Sequence, residues 1–449
     1  MISNLVIPNH WRCCTLVTLL LVVAAPALAA GPNEVDAKDV VTFHEDVEPI
    51  LQRSCQGCHR PEGVAYGGMK APMALTTYEE SRPWARSIAR QVEAKRMPPW
   101  FASEETHGLF TNERILSQEE VDTILSWAST GARRGDPANA PEPVDWPTGW
   151  LIGEPDLVLD LAEPFWVDDD VKDLNISLKA EMITNEMLSE PRWIKAIEFR
   201  SGSDVVHHVV GSRIAAETET PGASGLIGGI APGTEPFHLP DGAGRLLTPG
   251  TQLYFSMHYN KEPGVDTGVW DRSQMAFKFH PKDAKIDRIA KWEGVGNSDF
   301  EIPPGHENWI IGASKVFEYP TTIYGYLPHS HLRGLDAKYT AYYPDGTEEV
   351  LLDVPAYDWN WQTNYIYKEP KDIPAGTRVD VLMTYVNTEE RNELTVLELD
   401  TTRAVQFGGP TTDEMMIGFI DYSEDRGEEL VTETQDASAA ATPAAGGAR

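Results

Sequence analysis

The sequence predicts a multidomain chain in which an all-α N-terminal region is followed by antiparallel β-sandwich domains. Its 449 residues correspond to about three domains of ordinary size. Apolar residues follow a helical period up to about residue 133 and a period of two beyond Trp150. The 36 glycines and 33 prolines cut the second part into short runs, as sandwiches and barrels require. Hydrophobic residues make up 41% of the chain and charged residues 24%, which leaves enough apolar material for sizeable cores. With 69 acidic against 37 basic side chains the formal charge is −32, a balance that repels a phosphate backbone and excludes nucleic acid as a partner.

Residues 1–29 read as a cleaved secretory signal peptide. Arg12 lies in the n-region, Leu16 to Ala25 forms the apolar run, and Ala27-Leu28-Ala29 is an A-x-A cleavage site. That run is too short to span a bilayer, so a periplasmic or secreted protein with no stable membrane anchor is expected. Cleavage removes Cys13 and Cys14 and leaves Cys55 and Cys58 as the mature cysteines. With none left for structural disulfides, stability falls to the cores and the cofactors.

Residues 40–133 read as helices. Thr77-Tyr78-Glu79-Glu80 and Ser117-Gln118-Glu119-Glu120 fit the capping box. Trp84, Ile88 and Val92 follow the first at helical spacing, and Val121, Ile124, Leu125 and Ala128 follow the second. Residues 134–149, with Pro137, Pro141, Pro143 and Pro147, form a Pro-rich linker. Beyond it, Gln252 to His258 and Arg378 to Val381 alternate as strands do, and Pro344-Asp345-Gly346 marks a hairpin. Residues 424–449 turn acidic and then rich in Ala, Gly and Thr, a composition that predicts a disordered tail.

Cys55-Gln56-Gly57-Cys58-His59 is the C-x-x-C-H signature of c-type haem attachment. The two thiols would add to the haem vinyls and the imidazole would ligate iron, so residues 40–133 resemble a cytochrome c domain with one covalent haem. The competing readings are a chance match and a zinc half-site. Met69, Met73 and Met97 are candidates for the distal ligand. Met97 is favoured because Met97-Pro98-Pro99-Trp100 follows a helix, where the prolines hold an extended loop. Met73 is its main rival, and core packing accounts for those that do not ligate.

Five of the 12 histidines form three tight pieces: His207-His208, His258 in Met257-His258-Tyr259-Asn260, and His329-Ser330-His331. On a strand, i and i+2 share a face, so His329 and His331 can chelate one ion. His207 and His208 point to opposite faces of a regular strand, so joint use requires a strand end or a bulge. His44, His107, His238, His280 and His306 read as ordinary polar residues.

With Asp413-Glu414-Met415, these pieces resemble the copper type II, ascorbate-dependent monooxygenases, the family of peptidylglycine α-hydroxylating and dopamine β-monooxygenases. The resemblance covers roughly residues 150–423. It implies two antiparallel jelly-roll-like sandwiches, over residues 150–300 and 301–423, each holding one copper across an open cleft. It assigns His207, His208 and His258 to an electron-transfer copper and His329, His331 and Met415 to an oxygen-activating copper. Thioether with imidazole also suits copper that cycles through Cu(I). Met416 is the neighbouring alternative to Met415, whereas Met257 and Met383 read as core.

The family's carboxylate clamp is absent: its places hold Leu327, Ile417 and Phe419. A less polar substrate than a glycine-extended peptide is therefore favoured. The expected function is an exported haem–copper monooxygenase that hydroxylates a C–H bond of a small, apolar organic substrate with O2. Electrons would come from a donor protein or reductant through the fused cytochrome. The alternative is a non-enzymatic copper and haem electron-transfer or copper-binding protein on the same scaffold.

Overall fold

The computed structural model describes residues 40–61, 71–214, 225–393 and 399–426. The expected signal peptide, Met69 and residues 427–449 of the expected tail lie outside the described residues. No helix among the described residues is long and apolar enough to cross a membrane.

The first helices are short. A π-turn over Phe43–Val47 leads into α1 (Glu48–Ser54), followed by α2 (Tyr78–Ser81), α3 (Ala85–Glu93) and α4 (Gln118–Ser129). Both expected capping boxes form: Thr77 and Ser117 accept from the backbone N–H groups of Glu80 and Glu120, whose carboxylates accept in return. The apolar stripe of α3 differs from the sequence reading. Trp84 is 42% exposed, and Ala85, Ile88 and Val92 face inward. The tighter 3-10 turn at Arg82–Trp84 changes the angular phase ahead of α3 and turns the indole out. In α4, Ile124 and Trp127 carry the buried face, and the Trp127 indole donates to the Arg133 carbonyl at 3.0 Å. These side chains meet Phe43, Val47 and Leu51 in one small core.

The rest of the described chain is almost wholly β. The strands up to residue 297 are β1 (Leu157–Asp160), β2 (Phe165–Val167), β3 (Asp173–Lys179), β4 (Arg192–Arg200), β5 (Val206–Ile214), β6 (Gly225–Ile230), β7 (Ala243–Leu247), β8 (Gln252–Asn260), β9 (Val269–Asp271), β10 (Gln274–Phe279) and β11 (Arg288–Asn297). Those after it are β12 (Glu301–Ile302), β13 (Trp309–Val316), β14 (Thr321–His329), β15 (Gly334–Tyr342), β16 (Glu348–Val354), β17 (Tyr365–Ile373), β18 (Arg378–Tyr385), β19 (Val405–Gln406) and β20 (Met416–Glu424). A short α5 (Glu389–Glu393) separates β18 from β19. Glu424, where the sequence suggested the tail begins, closes β20 and pairs with Lys291 and Arg426.

Two cores lie between paired sheets. The sheet β3-β8-β5-β6 shares its core with β1, β4 and β10, and the sheet β13-β18-β15-β16 shares a second core with β11, β20, β14 and β17. The two partner sheets are continuous. They form one eight-stranded sheet, ordered β1-β10-β4-β7-β11-β20-β14-β17 and joined by the parallel pair β7 and β11. Alternation is clearest in β18, where Val379, Val381, Met383 and Tyr385 are fully buried and the residues between them are not. The expected hairpin joins β15 to β16: Asp345 accepts from Thr347 and Gly346 takes φ +88°.

The loop between α3 and α4 leaves the helical core. Ala102 and Phe110 belong to the core of the second sandwich, with the Phe110 ring stacked 5.2 Å from that of Tyr367. Backbone bonds run from Ser103 to Asp353 and from Thr111 to Ile366. The helical region is thus tied to the second sandwich by buried aromatic packing.

Met383 is buried at the centre of the second core, as expected of a packing methionine. Met383→Ala should lower stability by about 2–5 kcal/mol. Its check is the denaturant midpoint followed by tryptophan fluorescence; an unchanged midpoint would show that this core collapses around the cavity without loss.

Candidate functional site

The five paired histidines meet at one place. His207 and His208 lie near the start of β5, and the register against β8 passes from Val206 opposite Tyr259 to His208 opposite His258. His207 is the extra residue of a bulge there, so both imidazoles can turn to one side. His329 ends β14, and His331 follows the strand rather than lying on it. Their rings are 5.4 Å apart and perpendicular. His208 is 5.1 Å from His329 and 4.7 Å from His258 between ring centres. The resemblance implies two ligand sets across an open cleft. In the structure the two sets are in contact, because the ends of β5, β8 and β14 converge around the Trp359 ring, which lies 3.7 Å from His207 in a parallel stack.

The ligand nitrogens of His207, His208 and His258 all lie within 4.8 Å of one another, close to the ~4 Å that opposite nitrogens span across one ion. His258 directs Nε2 to Asp173 at 2.6 Å and Nδ1 to His208 Nε2 at 3.0 Å. Asp173 is itself held by the N–H and hydroxyl of Thr411. Burial opposes ionisation of Asp173, but the bonds from His258 and Thr411 outweigh it and keep the carboxyl below the usual range. His207 is half-buried, but both its ring nitrogens are shielded from solvent and neither meets a hydrogen-bond partner. An orphaned buried imidazole is costly unless an ion completes it.

In the second set, His329 donates from Nδ1 to the Gln362 side-chain oxygen at 2.6 Å, and His331 from Nδ1 to the Asp413 carbonyl at 3.3 Å. Each keeps Nε2 free. Burial first, and then the neighbouring imidazoles, hold His207, His208 and His331 well below the usual histidine range, and burial pushes His329 down to about 4. All four are neutral at physiological pH, the form that ligates a metal.

Met415 borders a cavity of about 640 Å³ together with His208 and His329. Val210, Leu226, Phe407, Ile417 and Phe419 supply its apolar walls, and none of its lining residues is Asp, Glu, Lys or Arg. Leu327 and Phe419, at two of the places of the missing clamp, pack with Trp292, and the Phe419 ring stacks on that indole at 4.3 Å. Met416 is fully buried among core residues.

The sequence reading passed over four residues here: Asp173, Trp359, Gln362 and Glu414. Glu414 is fully buried and accepts from the backbone N–H groups of His331, Arg333 and Met415 at 2.8, 2.6 and 3.2 Å. It thereby pins the H-x-H turn to the methionine segment. Burial pushes its carboxyl up to about 7, against the pull of those donors. An acid beside a candidate ligand was the available signal for Glu414. Nothing local marks the other three.

Cys55, Cys58, His59 and Met97 border a second, mostly apolar crevice, with Pro98, Pro99, Arg114 and Trp361. Neither thiol is in a disulfide. Burial, and then the neighbouring Cys58, pushes the Cys55 thiol up to about 12. His59 donates from Nδ1 to the Met73 carbonyl at 3.1 Å and so leaves Nε2 free. Met73 packs beside the helical core, whereas Met97 faces the crevice. The described walls enclose only about 90 Å³, so they must part to admit a porphyrin.

His44, His238 and His280 have ordinary partners in Glu48, the Ile152 carbonyl and the Ala243 carbonyl. Asp173→Asn keeps the side-chain volume but replaces the carboxylate that orients His258. Metal affinity at His207, His208 and His258 should fall about 10–100-fold, measured by chelator competition. An unchanged affinity would show that this carboxylate does not orient a ligand.

No protein-family model matches the chain. A human protein described as "Putative DBH-like monooxygenase protein 2" is 27% identical over 219 residues, which cover 44% of this chain. The chain spans 40% of the length of that curated relative. This likeness agrees with the resemblance read from the histidine and methionine pieces. Among solved structures, the cowpea mosaic virus top component is 6% identical over 61% of this chain and 93% of its own, with a TM-score of 0.29. The major capsid protein P2 of bacteriophage PM2 is 9% identical over 60% of this chain and 98% of its own, with a TM-score of 0.23. Both scores are too low to indicate a shared fold.

Proposed function

We propose that the chain is an exported haem–copper monooxygenase that hydroxylates a C–H bond of a small apolar substrate. The supporting observation is the meeting of five imidazoles, three of them buried, beside a cavity without charged walls that His208, His329 and Met415 line. The donor set fits copper, since neutral imidazole and thioether favour a metal that visits Cu(I). His207, His208 and His258 would hold one copper, and His329, His331 and Met415 a second. The Cys55, Cys58 and His59 crevice would hold one covalent haem, with Met97 as distal ligand, and residues 40–133 would serve as the cytochrome domain.

When bound, these groups supply one-electron redox changes and oxygen activation, so that R–H, O2, two electrons and two protons give R–OH and water. The chain's own residues supply positioning. Asp173 and Gln362 fix the rings of His258 and His329 by accepting one N–H from each. Glu414 holds the backbone of His331 and Met415 in register. Val210, Leu226, Ile417 and Phe419 exclude water and favour an apolar substrate.

The direct test is metal and haem analysis of the purified protein, followed by incubation with O2, a reductant and a hydroxylatable apolar compound. Two coppers, one haem and an oxygenated product are expected. Copper and haem without product would favour the electron-transfer alternative, and a protein that binds neither would overturn the proposal.

A further inference from the structure

One tight turn touches both candidate sites. Trp361 borders the crevice of Cys55, Cys58, His59 and Met97. Two residues earlier, Trp359 is 5% exposed and stacks in parallel on His207, with ring centres 3.7 Å apart and planes 12° apart. Trp359 also lies 5.6 Å from His258 and 6.2 Å from His331 between ring centres. Gln362, which follows Trp361, accepts from His329 through its side-chain oxygen and donates to the Trp359 carbonyl at 3.2 Å.

The turn is fixed from several sides. The Trp361 N–H donates to the Asp358 carbonyl at 2.8 Å, and the Asn360 N–H to the Asp358 carboxylate at 2.9 Å. Gly233 packs so closely that a Cβ there would sit 3.3 Å from the Trp361 ring and 2.6 Å from the Thr363 hydroxyl. Arg114, also on the crevice wall, donates to the Gly233 carbonyl and pairs with Glu235. Trp359 also belongs to the core of the second sandwich, and the two indoles lie against different candidate sites.

We propose that the Trp359–Gln362 turn is the electron-carrying contact between the Cys55/Cys58/His59 crevice and the histidine cluster. It rests on the haem–copper reading. In each event one electron leaves ferrous haem iron, which becomes ferric, and reduces one Cu(II) at the cluster to Cu(I). No bond forms or breaks, and neither indole is itself oxidised. The rings and the short backbone between them provide a bonded path between the two sites. Delivery stays within one chain and does not depend on encounter with a second protein.

The test is an anaerobic rapid-mixing experiment on holoprotein carrying ferric haem and Cu(II), with a substoichiometric one-electron reductant. The haem absorption band reports reduction and reoxidation of the iron, and freeze-quenched EPR reports loss of Cu(II). Wild type should show fast haem reoxidation matched by Cu(II) loss. Trp361→Leu should slow that fast phase by more than its measured change in haem midpoint potential accounts for, with copper content and Cu(II) EPR parameters as in wild type, and Trp361→Phe should restore part of the rate. Equal rates in wild type and both variants would overturn the proposal and leave the haem–copper reading intact. A wild type without haem or without copper would overturn both.

Discussion

Met415→Ile is expected to fold, to retain haem and to form no hydroxylated product in a single turnover of fully reduced protein. Met415 borders the cavity of about 640 Å³ that His329 and His208 also line, the place proposed above for an apolar substrate. Isoleucine keeps the volume and apolarity nearly constant, which limits the stability cost to under about 1.5 kcal/mol. The backbone at this position is fixed independently, by the bond from the Met415 N–H to Glu414 and by the Tyr385 hydroxyl donating to the Met415 carbonyl at 2.8 Å. The variant removes the proposed soft ligand, and the fall in product should exceed the about 10–100-fold that follows loss of a residue supporting a ligand. Product analysis after rapid mixing with O2 and an apolar substrate is the check. Hydroxylation as fast as in wild type would remove Met415 from the oxygen-activating site and with it most of the monooxygenase proposal.

Replacing Cys55 and Cys58 together by serine should abolish covalent haem completely. Neither thiol is in a disulfide, and both cysteines border the crevice that His59 and Met97 share. The His59 ring is already oriented by the Met73 carbonyl, so the variant retains an imidazole but has no sulfur to form a thioether link. Haem staining after denaturing electrophoresis reads the outcome, and a band that persists in the double variant contradicts the assignment. Met97→Ala, in contrast, should keep the haem and lose the methionine-to-iron absorption band. Loss of that band in Met73→Ala but not in Met97→Ala would reverse the choice of ligand.

Much of the secondary structure was legible in the sequence because it is set by local chemistry. Thr77 and Ser117 cap helices wherever a Glu stands three residues on, and the alternation of Arg378 to Val381 already marks which face of β18 is buried. The bulge at His207 was also legible, since two adjacent ligand candidates on a strand cannot otherwise share a side. The stripe at Trp84 was misread because a 3-10 turn shifts the angular phase by an amount that no periodicity count contains. Asp173, Gln362 and Trp359 were invisible because a carboxylate, an amide or an indole becomes a supporting residue only through the partner it meets, and those partners are 85, 33 and 152 positions away.

By itself the sequence determined the chemistry on offer: a C-x-x-C-H segment, three histidine pieces and a methionine beside an acid. Those are properties of residue type and short spacing, and they survive in an unfolded chain. Only the tertiary structure decided that the five imidazoles form one cluster, that Met97 and not Met73 faces the crevice, and that a single turn from Trp359 to Gln362 reaches both places. Such relations depend on how β5, β8, β14 and β20 converge and on the burial of Phe110 beside Tyr367. They are set by packing between segments far apart in sequence, a term that local propensity does not contain.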